Sequence, residues 1–320
     1  MHCKKILITV LLISIGFVGI QAQQRYFDER SVYSQHFLYP VLVNPGAIGI
    51  DDEQTLLLNY RNTFAAFDDA PRTITLNYNG NVGNRLGFGA QLFQDSYGYL
   101  ETSKGLLGVS YTIESATNKV GFGLTTEYIQ HVLSGSAINN PVIDPDDPLI
   151  GQRLDGNRFF DASFGIYGIY DGKLKYGVSF PSLISSKINT EDGESGDRML
   201  GYIAHFAYVT NANNGDIILE PSVFIKSLNN TPTHVDVNLK ASFLDNRFFG
   251  GLGYTLGGSQ GLGFLLGTRI DNLQFNYYYN ISTREFQDFN NGSHELTLAF
   301  YFNKKDKAKV DKMPKDPMEQ

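Results

Sequence analysis

The sequence predicts an all-β fold: a transmembrane, antiparallel, up-and-down β-barrel of about 14 strands, with short periplasmic turns and longer extracellular loops. Three observations indicate this class. Apolar and polar residues alternate over long stretches, the connections between these stretches are alternately short and long, and the chain begins with the pattern of an export signal. No other segment after that signal approaches twenty consecutive apolar residues, so the sequence predicts no helical membrane span there.

The clearest alternation lies near the end of the chain. From Leu273 to Ile281 every second residue is aliphatic or aromatic, and His294 to Phe302 repeats the pattern. A period of two residues is that of a β-strand with one apolar and one polar face. Asp271 and Asn272 precede the first stretch, and both residue types tolerate the left-handed backbone of a tight hairpin turn. Two amphipathic strands joined by a short turn form the repeating unit of a transmembrane barrel.

The same unit extends over most of the chain and predicts an even number of strands. Besides the pair just described, the candidate strands are Glu53–Phe64, Arg72–Asn81, Arg85–Asp95, Tyr99–Ser115, Lys119–Val132, Arg158–Tyr170, Lys173–Phe180, Arg198–Thr210, Asp216–Ser227, Thr233–Leu244, Arg247–Leu256 and Gly261–Ile270.

The connections between these strands are sorted by length. Every second connection is short, and the others are mostly longer, above all Leu133–Asn157 and Pro181–Asp197. Short periplasmic turns and long external loops are typical of outer-membrane barrels, whereas nothing in a soluble β-sandwich requires short and long connections to alternate. The short connections are Val82–Asn84, Ala116–Asn118, Asp171–Gly172, Asn211–Gly215, Asp245–Asn246 and Asp271–Asn272.

The polar faces of the strands predict a polar lumen. In Thr233–Phe243 one face carries His234, Asp236, Asn238, Lys240 and Ser242, and such groups would be costly against lipid. We expect further charged residues of the strands to join the same interior network, namely Glu127, Glu220, Lys226 and Arg269.

Three features of the candidate strands interrupt or modify the pattern. Pro221 lacks a ladder donor and predicts a bulge, and Lys104-Gly105 predicts that its strand bends or starts later. Glycines recur within the strands, where they permit close packing or bending rather than forming a phosphate-binding loop. These glycines are Gly87, Gly89, Gly121, Gly123, Gly251 and Gly253.

The ends of the chain divide it into four parts. Lys4-Lys5, the apolar run Ile6–Ile20 and Ala22 predict a secretory signal peptide over residues 1–22, which contains the single cysteine, Cys3. Residues 23–52 show no clean period and are expected to be tucked into or under the lumen. The barrel is expected over 53–303, followed at 304–320 by a disordered, charged periplasmic tail with six lysines.

Composition supports export and excludes some functions. Charged residues make up 18% of the chain, below the roughly 25% of typical soluble domains. The aromatic residues are 19 tyrosines and 23 phenylalanines, and tyrosine suits a membrane interface because its ring is apolar and its tip is polar. A formal net charge of -7 argues against a nucleic-acid partner.

Few stretches of the sequence are candidates for metal binding or catalysis. Asp144–Pro148 and Glu191–Glu194 are acidic stretches in the two longest connections, but they lack the spacing of a calcium loop, so we interpret them as solvated loops. The six histidines show no metal-ligand spacing, and no serine lies in a nucleophile-elbow context. The sequence therefore predicts no catalytic residue, no metal site, no cofactor and no enzymatic activity.

Two short stretches carry a resemblance to a known family. Tyr33–Phe37, with Ser34, Gln35 and Phe37, is followed by Asn44, Pro45 and Gly49, and then by Arg61, Pro71 and Thr73. This order resembles the amino-terminal signature of the PorP/SprF family of Bacteroidota. The sequence departs from it at Arg61–Thr63, where the family usually carries a Gln-Trp pair.

The resemblance implies a non-enzymatic component of the type IX secretion and gliding machinery in the Gram-negative outer membrane. It implies three kinds of partner: outer-membrane lipid, a secreted cell-surface adhesin that the protein helps to export or attach, and a periplasmic peptidoglycan-associated secretion or motility protein. The family-motif residues become candidates for partner binding. A porin-like channel for small solutes is the alternative function, and a soluble extracellular β protein is a third hypothesis.

Overall fold

The protein is described by a computed structural model. It covers residues 32–51, 53–65, 70–135, 137, 156–184, 186–187, 201–212, 216–228, 231–257, 260–283 and 291–302. The predicted signal peptide, the acidic stretches in the two longest connections and the charged tail lie outside these residues. None of the helices in the described ranges is long and apolar enough to cross a membrane.

Fourteen strands in the described part of the chain close into an antiparallel barrel, which confirms the predicted fold class. Each strand pairs with its neighbours in sequence, and the last strand pairs with the first to close the ring. The strands are β1 Gln54–Asn62, β2 Arg72–Val82, β3 Leu86–Tyr97, β4 Leu100–Glu114, β5 Asn118–Leu133, β6 Asn157–Tyr170, β7 Leu174–Phe180, β8 Tyr202–Tyr208, β9 Ile217–Ser227, β10 His234–Phe243, β11 Phe248–Gly257, β12 Gly261–Ile270, β13 Leu273–Ser282 and β14 Ser293–Phe302.

Two short strands supplement the ring. Ser186–Lys187 pairs with Phe159 and Phe160 of β6, and Thr210–Ala212 continues the direction of β8 and pairs with β9.

The two rims of the barrel differ in their connections. At one rim, which we call the turn end, tight turns such as 83–85 and 271–272 join the strands. Leu244, Asp245, Asn246 and Asp271 adopt left-handed backbone conformations there, with φ between 49° and 64°. The opposite rim, the loop end, carries the long connections after β5 and β7. In outer-membrane barrels the tight turns are periplasmic and the long loops extracellular.

The wall has an apolar outer face and a polar inner face. On β1 and β2 the exposed side chains include Leu56, Leu58 and Ile74, while Asn59 and Thr75 are buried against the lumen. On β10 the predicted assignment is confirmed, since Val237 and Leu239 point outward and Asp236, Asn238 and Ser242 are buried inside. Glu127, Glu220 and Lys226 are also buried in the interior, as expected.

The predicted interruption at Lys104-Gly105 is wrong. β4 runs without a break from Leu100 to Glu114, and Lys104 is buried on its inner face. Its ammonium group lies 3.6 Å from the Glu127 carboxylate on β5, so the charge is compensated inside the barrel.

The predicted bulge at Pro221 is also wrong. β9 keeps the same register before and after Pro221, because Leu219 pairs with Thr210 and Ser222 pairs with Ala207. The proline instead interrupts the pairing with β8 at Val209, since it has no backbone N–H to donate. Its side chain is exposed on the outer face.

Residues 32–51, which we call the lumen segment, fill the interior of the barrel. They form three short 3-10 turns, Gln35–Phe37, Pro40–Leu42 and Pro45–Ala47, and most of their side chains are buried. Proline starts two of these turns because its fixed φ suits a helical first position. The turns satisfy their own backbone groups, so an irregular chain can pack inside the wall without a strand ladder.

Candidate functional site in the lumen

The family-motif residues lie in and around the lumen segment, in three separate groups. Ser34, Gln35 and Arg61 meet near the loop end, Asn44 and Pro45 lie against the wall of β5 to β7, and Gly49 lies against β2 and β3. Phe37 joins an aromatic cluster, and Pro71 and Thr73 lie where β2 begins.

The first group converges on Glu295 of β14, a residue with 1% of its surface exposed. One carboxylate oxygen accepts hydrogen bonds from the Ser34 backbone N–H at 2.9 Å and from the Arg61 guanidinium at 3.0 Å. The other oxygen accepts from the Asn59 amide at 2.9 Å and from the Gln35 backbone N–H at 3.4 Å. We call these five residues the Glu295 clasp.

Two further contacts tighten the clasp. The Gln35 side-chain amide donates to the Glu295 backbone carbonyl at 3.1 Å, and Arg61 also donates to the Ser34 hydroxyl. A carboxylate that receives four donors is well compensated for its burial, because each charge-assisted bond replaces a bond to water. The motif residues Ser34, Gln35 and Arg61 therefore share one buried anion.

The clasp lies on the wall at the junction where the barrel closes. Arg61 and Glu295 are directly paired residues of β1 and β14, the two strands that close the barrel. Thr73 is the ladder partner of Arg61 on the other side, and its hydroxyl donates to the Asp95 carboxylate at 2.6 Å. The clasp thus joins the first strand, the last strand and the lumen segment, which lie up to 261 residues apart in the chain.

The second group lies in a seat made of glycines. Asn44 accepts a hydrogen bond from the Gly46 backbone N–H at 2.9 Å and donates to the Ile166 carbonyl of β6 at 3.0 Å, so it caps the turn and ties it to the wall. A Cβ atom on the wall glycines would overlap Asn44, Pro45 or Gly46. These glycines, the glycine seat, are Gly121, Gly123, Gly165 and Gly177.

Gly49 makes a similar close approach near the turn end. Its backbone has a φ of 63°, in the left-handed region, and its N–H donates to the Asn79 side chain at 2.7 Å. A Cβ atom on Gly49 would overlap Gly87 of β3, and a Cβ atom on Gly87 would overlap Ser110 and the Ile48 carbonyl. Close packing is thus confirmed as the role of Gly87, Gly121 and Gly123.

An aromatic and charged group surrounds His36 and Phe37. The His36 ring packs edge-on against Phe224 at 4.2 Å between centroids, and its Nδ1 donates to the Tyr33 carbonyl at 2.7 Å. Its Nε2 lies 3.3 Å from the Asp236 carboxylate, which in turn binds the Lys226 ammonium at 2.9 Å. Both charged residues have about 5% of their surface exposed, so this pair is a buried anchor for the segment.

Other interior charges hold the strands of the wall together. Glu220 of β9 binds Lys175 of β7 at 2.5 Å and Lys240 of β10 at 2.6 Å. At the turn end, Arg269 lies 2.9 Å from Glu53 and stacks over the Tyr301 ring at 4.0 Å. The predicted interior network of charged residues is confirmed for Arg269 as well.

Two small cavities lie beside the lumen segment in the described part of the chain. A cavity of about 50 Å³ lies near the Glu295 clasp and the Lys226–Asp236 pair, and one of about 20 Å³ lies beside the glycine seat. Volumes of this size hold one or a few water molecules. No group of three or more potential metal ligands occurs among the described residues.

The motif residues were identified from the sequence, but the residues that they contact inside the barrel were not. Glu295 is the principal omission, and its signal was available: it is an acidic residue on the polar face of a strand that otherwise carries uncharged groups. Asn79 and Asp95 were omitted in the same way. The pairing of Asp236 with His36 has no signal in the spacing, because the two residues are 200 positions apart.

A closed barrel with an apolar exterior, a polar charged interior and a chain segment packed in its lumen defines the class of outer-membrane β-barrel proteins with a filled lumen. The sequence model of the type IX secretion system membrane protein PorP/SprF family matches residues 26–300, and the chain belongs to this family. The protein is therefore located in the outer membrane, as predicted.

Similarity to solved structures is confined to the barrel architecture. The Acinetobacter baumannii outer membrane protein Omp33 is 8% identical with a TM-score of 0.47, and the match covers 79% of this chain and all of that one. The Ralstonia pickettii toluene transporter TbuX is 10% identical with a TM-score of 0.49, covering 81% and 92%. At these scores neither likeness bears on function. No curated protein is similar enough to count as a relative.

Proposed function

We propose that the protein is a non-enzymatic outer-membrane scaffold of type IX secretion that assists the export and surface attachment of a secreted adhesin-type partner. Family membership supports the link to the secretion system. The observation that carries the scaffold role is the filled lumen: the segment from Val32 to Asp51 occupies the interior, and most of its side chains are buried against the wall.

Because the lumen is filled, partners are expected to bind at the two rims of the barrel. The loop end carries the longest connections and would face a secreted partner outside the cell. The turn end, where β14 also ends, would face a periplasmic peptidoglycan-associated protein of the secretion or motility machinery.

Deletion of the gene in the native bacterium tests this proposal. We expect adhesin-type cargo of the secretion system to be lost from the cell surface, either retained inside or released into the medium, and to return with the wild-type gene. Purification from mildly solubilised membranes should bring the secreted and periplasmic partners along. Normal surface attachment of all such cargo in the deletion strain would contradict the proposal.

The alternative function, a channel for small solutes, requires the lumen segment to move. Conductance in planar bilayers separates the two functions. A scaffold with a filled lumen is expected to remain closed, and a variant that lacks residues 32–51 is expected to conduct. Stable conductance of the wild-type protein at the level of that variant would favour the channel.

A further inference from the structure

The strands β3 to β6 are longer than a membrane crossing requires. A transmembrane strand needs about 9–11 residues. β4 has 15 residues and β5 has 16, whereas β11 and β12, on the opposite side of the ring, have 10 each. The wall therefore continues past the apolar layer of the membrane along β4 and β5.

The outward side chains show at which end the extra length lies. In the part of each strand nearer the turn end they are apolar and exposed, as are Leu92 on β3, Leu107 on β4, Tyr128 on β5 and Phe160 on β6. Towards the loop end the outward residues of the same four strands become polar. The extra length thus lies at the loop end, which is the extracellular side of an outer-membrane barrel.

The first polar side chains beyond this change form a continuous group. They are directly paired across β3, β4, β5 and β6. We call this group the polar patch, and it consists of Gln94, Ser103, Gln130 and Arg158. Gln94, Ser103 and Arg158 are exposed, and Gln130 is half-buried. The neighbouring residues Lys104 and Ile129 are buried on the lumen side, so the patch lies on the outer face of the wall.

The strands of ordinary length show no such change. Leu256 is the second residue from the loop end of β11, and Leu262 is the second residue from the loop end of β12. Both are exposed on the outer face. The corresponding residue of β4 is Glu101, which is polar like the patch below it. The described outer face is therefore apolar up to the loop end on β11 and β12, but not on β4.

We propose that the polar patch binds the phosphate- and sugar-bearing headgroups of glycolipid in the outer leaflet. Its position supports this ligand, because the patch continues the lipid-facing wall directly beyond Tyr128 and Phe160, and aromatic rings are typical of the boundary between hydrocarbon and headgroups. Its chemistry also fits. The Arg158 guanidinium has five N–H donors in a geometry that suits phosphate, while amide and hydroxyl groups both donate to and accept from sugar hydroxyls.

The depth of the patch is tested by tryptophan fluorescence. The chain contains no tryptophan, so each single variant reports on one position. Ser103→Trp, Val109→Trp and Leu262→Trp are reconstituted in phosphatidylcholine vesicles that carry bromine on the acyl chains. We expect the bromine to quench Val109→Trp and Leu262→Trp strongly and Ser103→Trp weakly. Equal quenching of Ser103→Trp and Val109→Trp would place the patch in the hydrocarbon and overturn the proposal.

Headgroup binding is tested by titrating the detergent-solubilised protein with lipid A, a phosphorylated glycolipid, and counting bound lipids by native mass spectrometry. Loss of a hydrogen bond to a charged group weakens binding by about tenfold. We expect at least this loss of lipid A affinity for the double variant Gln130→Ala, Arg158→Gln. The matched control is Arg247→Gln, which removes an exposed arginine at the turn end and should leave the affinity unchanged.

Three results of the titration would contradict the proposal. The wild-type protein fails to bind lipid A more tightly than phosphatidylcholine, or the double variant keeps the wild-type affinity for lipid A. The third is an equal loss in the double variant and in Arg247→Gln, because it would reflect a general attraction between arginine and phosphate rather than a site at the patch.

Discussion

Replacement of Glu295 by glutamine should destabilise the barrel far more than the loss of one charge on its surface would. Glutamine keeps the shape of the side chain but replaces one carboxylate oxygen with an NH₂ group. Each oxygen faces two donors, Ser34 and Arg61 on one side and Asn59 and Gln35 on the other. The amide therefore places a donor against two donors in either orientation.

The expected cost follows from the burial of the clasp. Side-chain exposure is 12% for Arg61 and 1% for Glu295, so the Glu295→Gln variant leaves a buried guanidinium without its counter-charge. Removal of one partner of a buried ion pair costs about 3–5 kcal/mol. Because the clasp joins β1, β14 and the lumen segment, we expect this loss in the free energy of unfolding of the whole barrel.

Urea unfolding of the purified protein, followed as the fraction of folded barrel on unheated gels, measures this free energy. Glu53→Gln is the matched control, because Glu53 pairs with Arg269 at the turn end with larger side-chain exposures of 19% and 29%. We expect the control to cost about 1 kcal/mol or less. If Glu295→Gln costs no more than Glu53→Gln, the clasp does not stabilise closure and the reasoning fails.

Three further predictions concern the lumen. Gly123→Ala should cost about 1–3 kcal/mol by overpacking against the turn of the lumen segment, whereas Gly105→Ala, where a Cβ meets open space, should be neutral in the same unfolding assay. Asp236→Asn leaves Lys226 buried without its partner, and we expect a lower unfolding midpoint, whereas the double change of both residues to apolar side chains should recover part of the loss. Removal of residues 32–51 should open the barrel to ions, so that the variant conducts in planar bilayers where the wild-type protein does not. A variant that still does not conduct would show that other parts of the chain close the pore.

Much of the wall could be predicted from the sequence, because its strands and turns are determined by residues close together in the chain. A strand that separates lipid from a polar lumen must alternate residue by residue, and Thr233–Phe243 shows this so clearly that its inner and outer faces were both assigned correctly. Turns were predictable for the same reason, since Asp271 supplies the left-handed backbone that its hairpin needs. The two errors, at Lys104 and Pro221, have different causes. Lys104 is compensated by Glu127 on the neighbouring strand, and the strand tolerates Pro221 by losing pairing at one point without a change of register.

The lumen segment was only partly predictable. Its lack of period and its position before β1 indicated a chain that is not part of the wall, but nothing local fixes how such a chain packs. The glycines of β5, Gly121 and Gly123, indicated close packing but not which residues approach them. Only the fold shows that Pro45 and Gly46 do so.

The sequence by itself determined the class, because alternation and turn chemistry act over a few residues and leave a direct trace in the chain. The tertiary structure alone decided which groups meet inside. Ser34, Arg61 and Glu295 are brought together by barrel closure, and the lumen segment is held further along by its contacts with β2 and β6. Such contacts depend on the ring as a whole, so no local pattern encodes them.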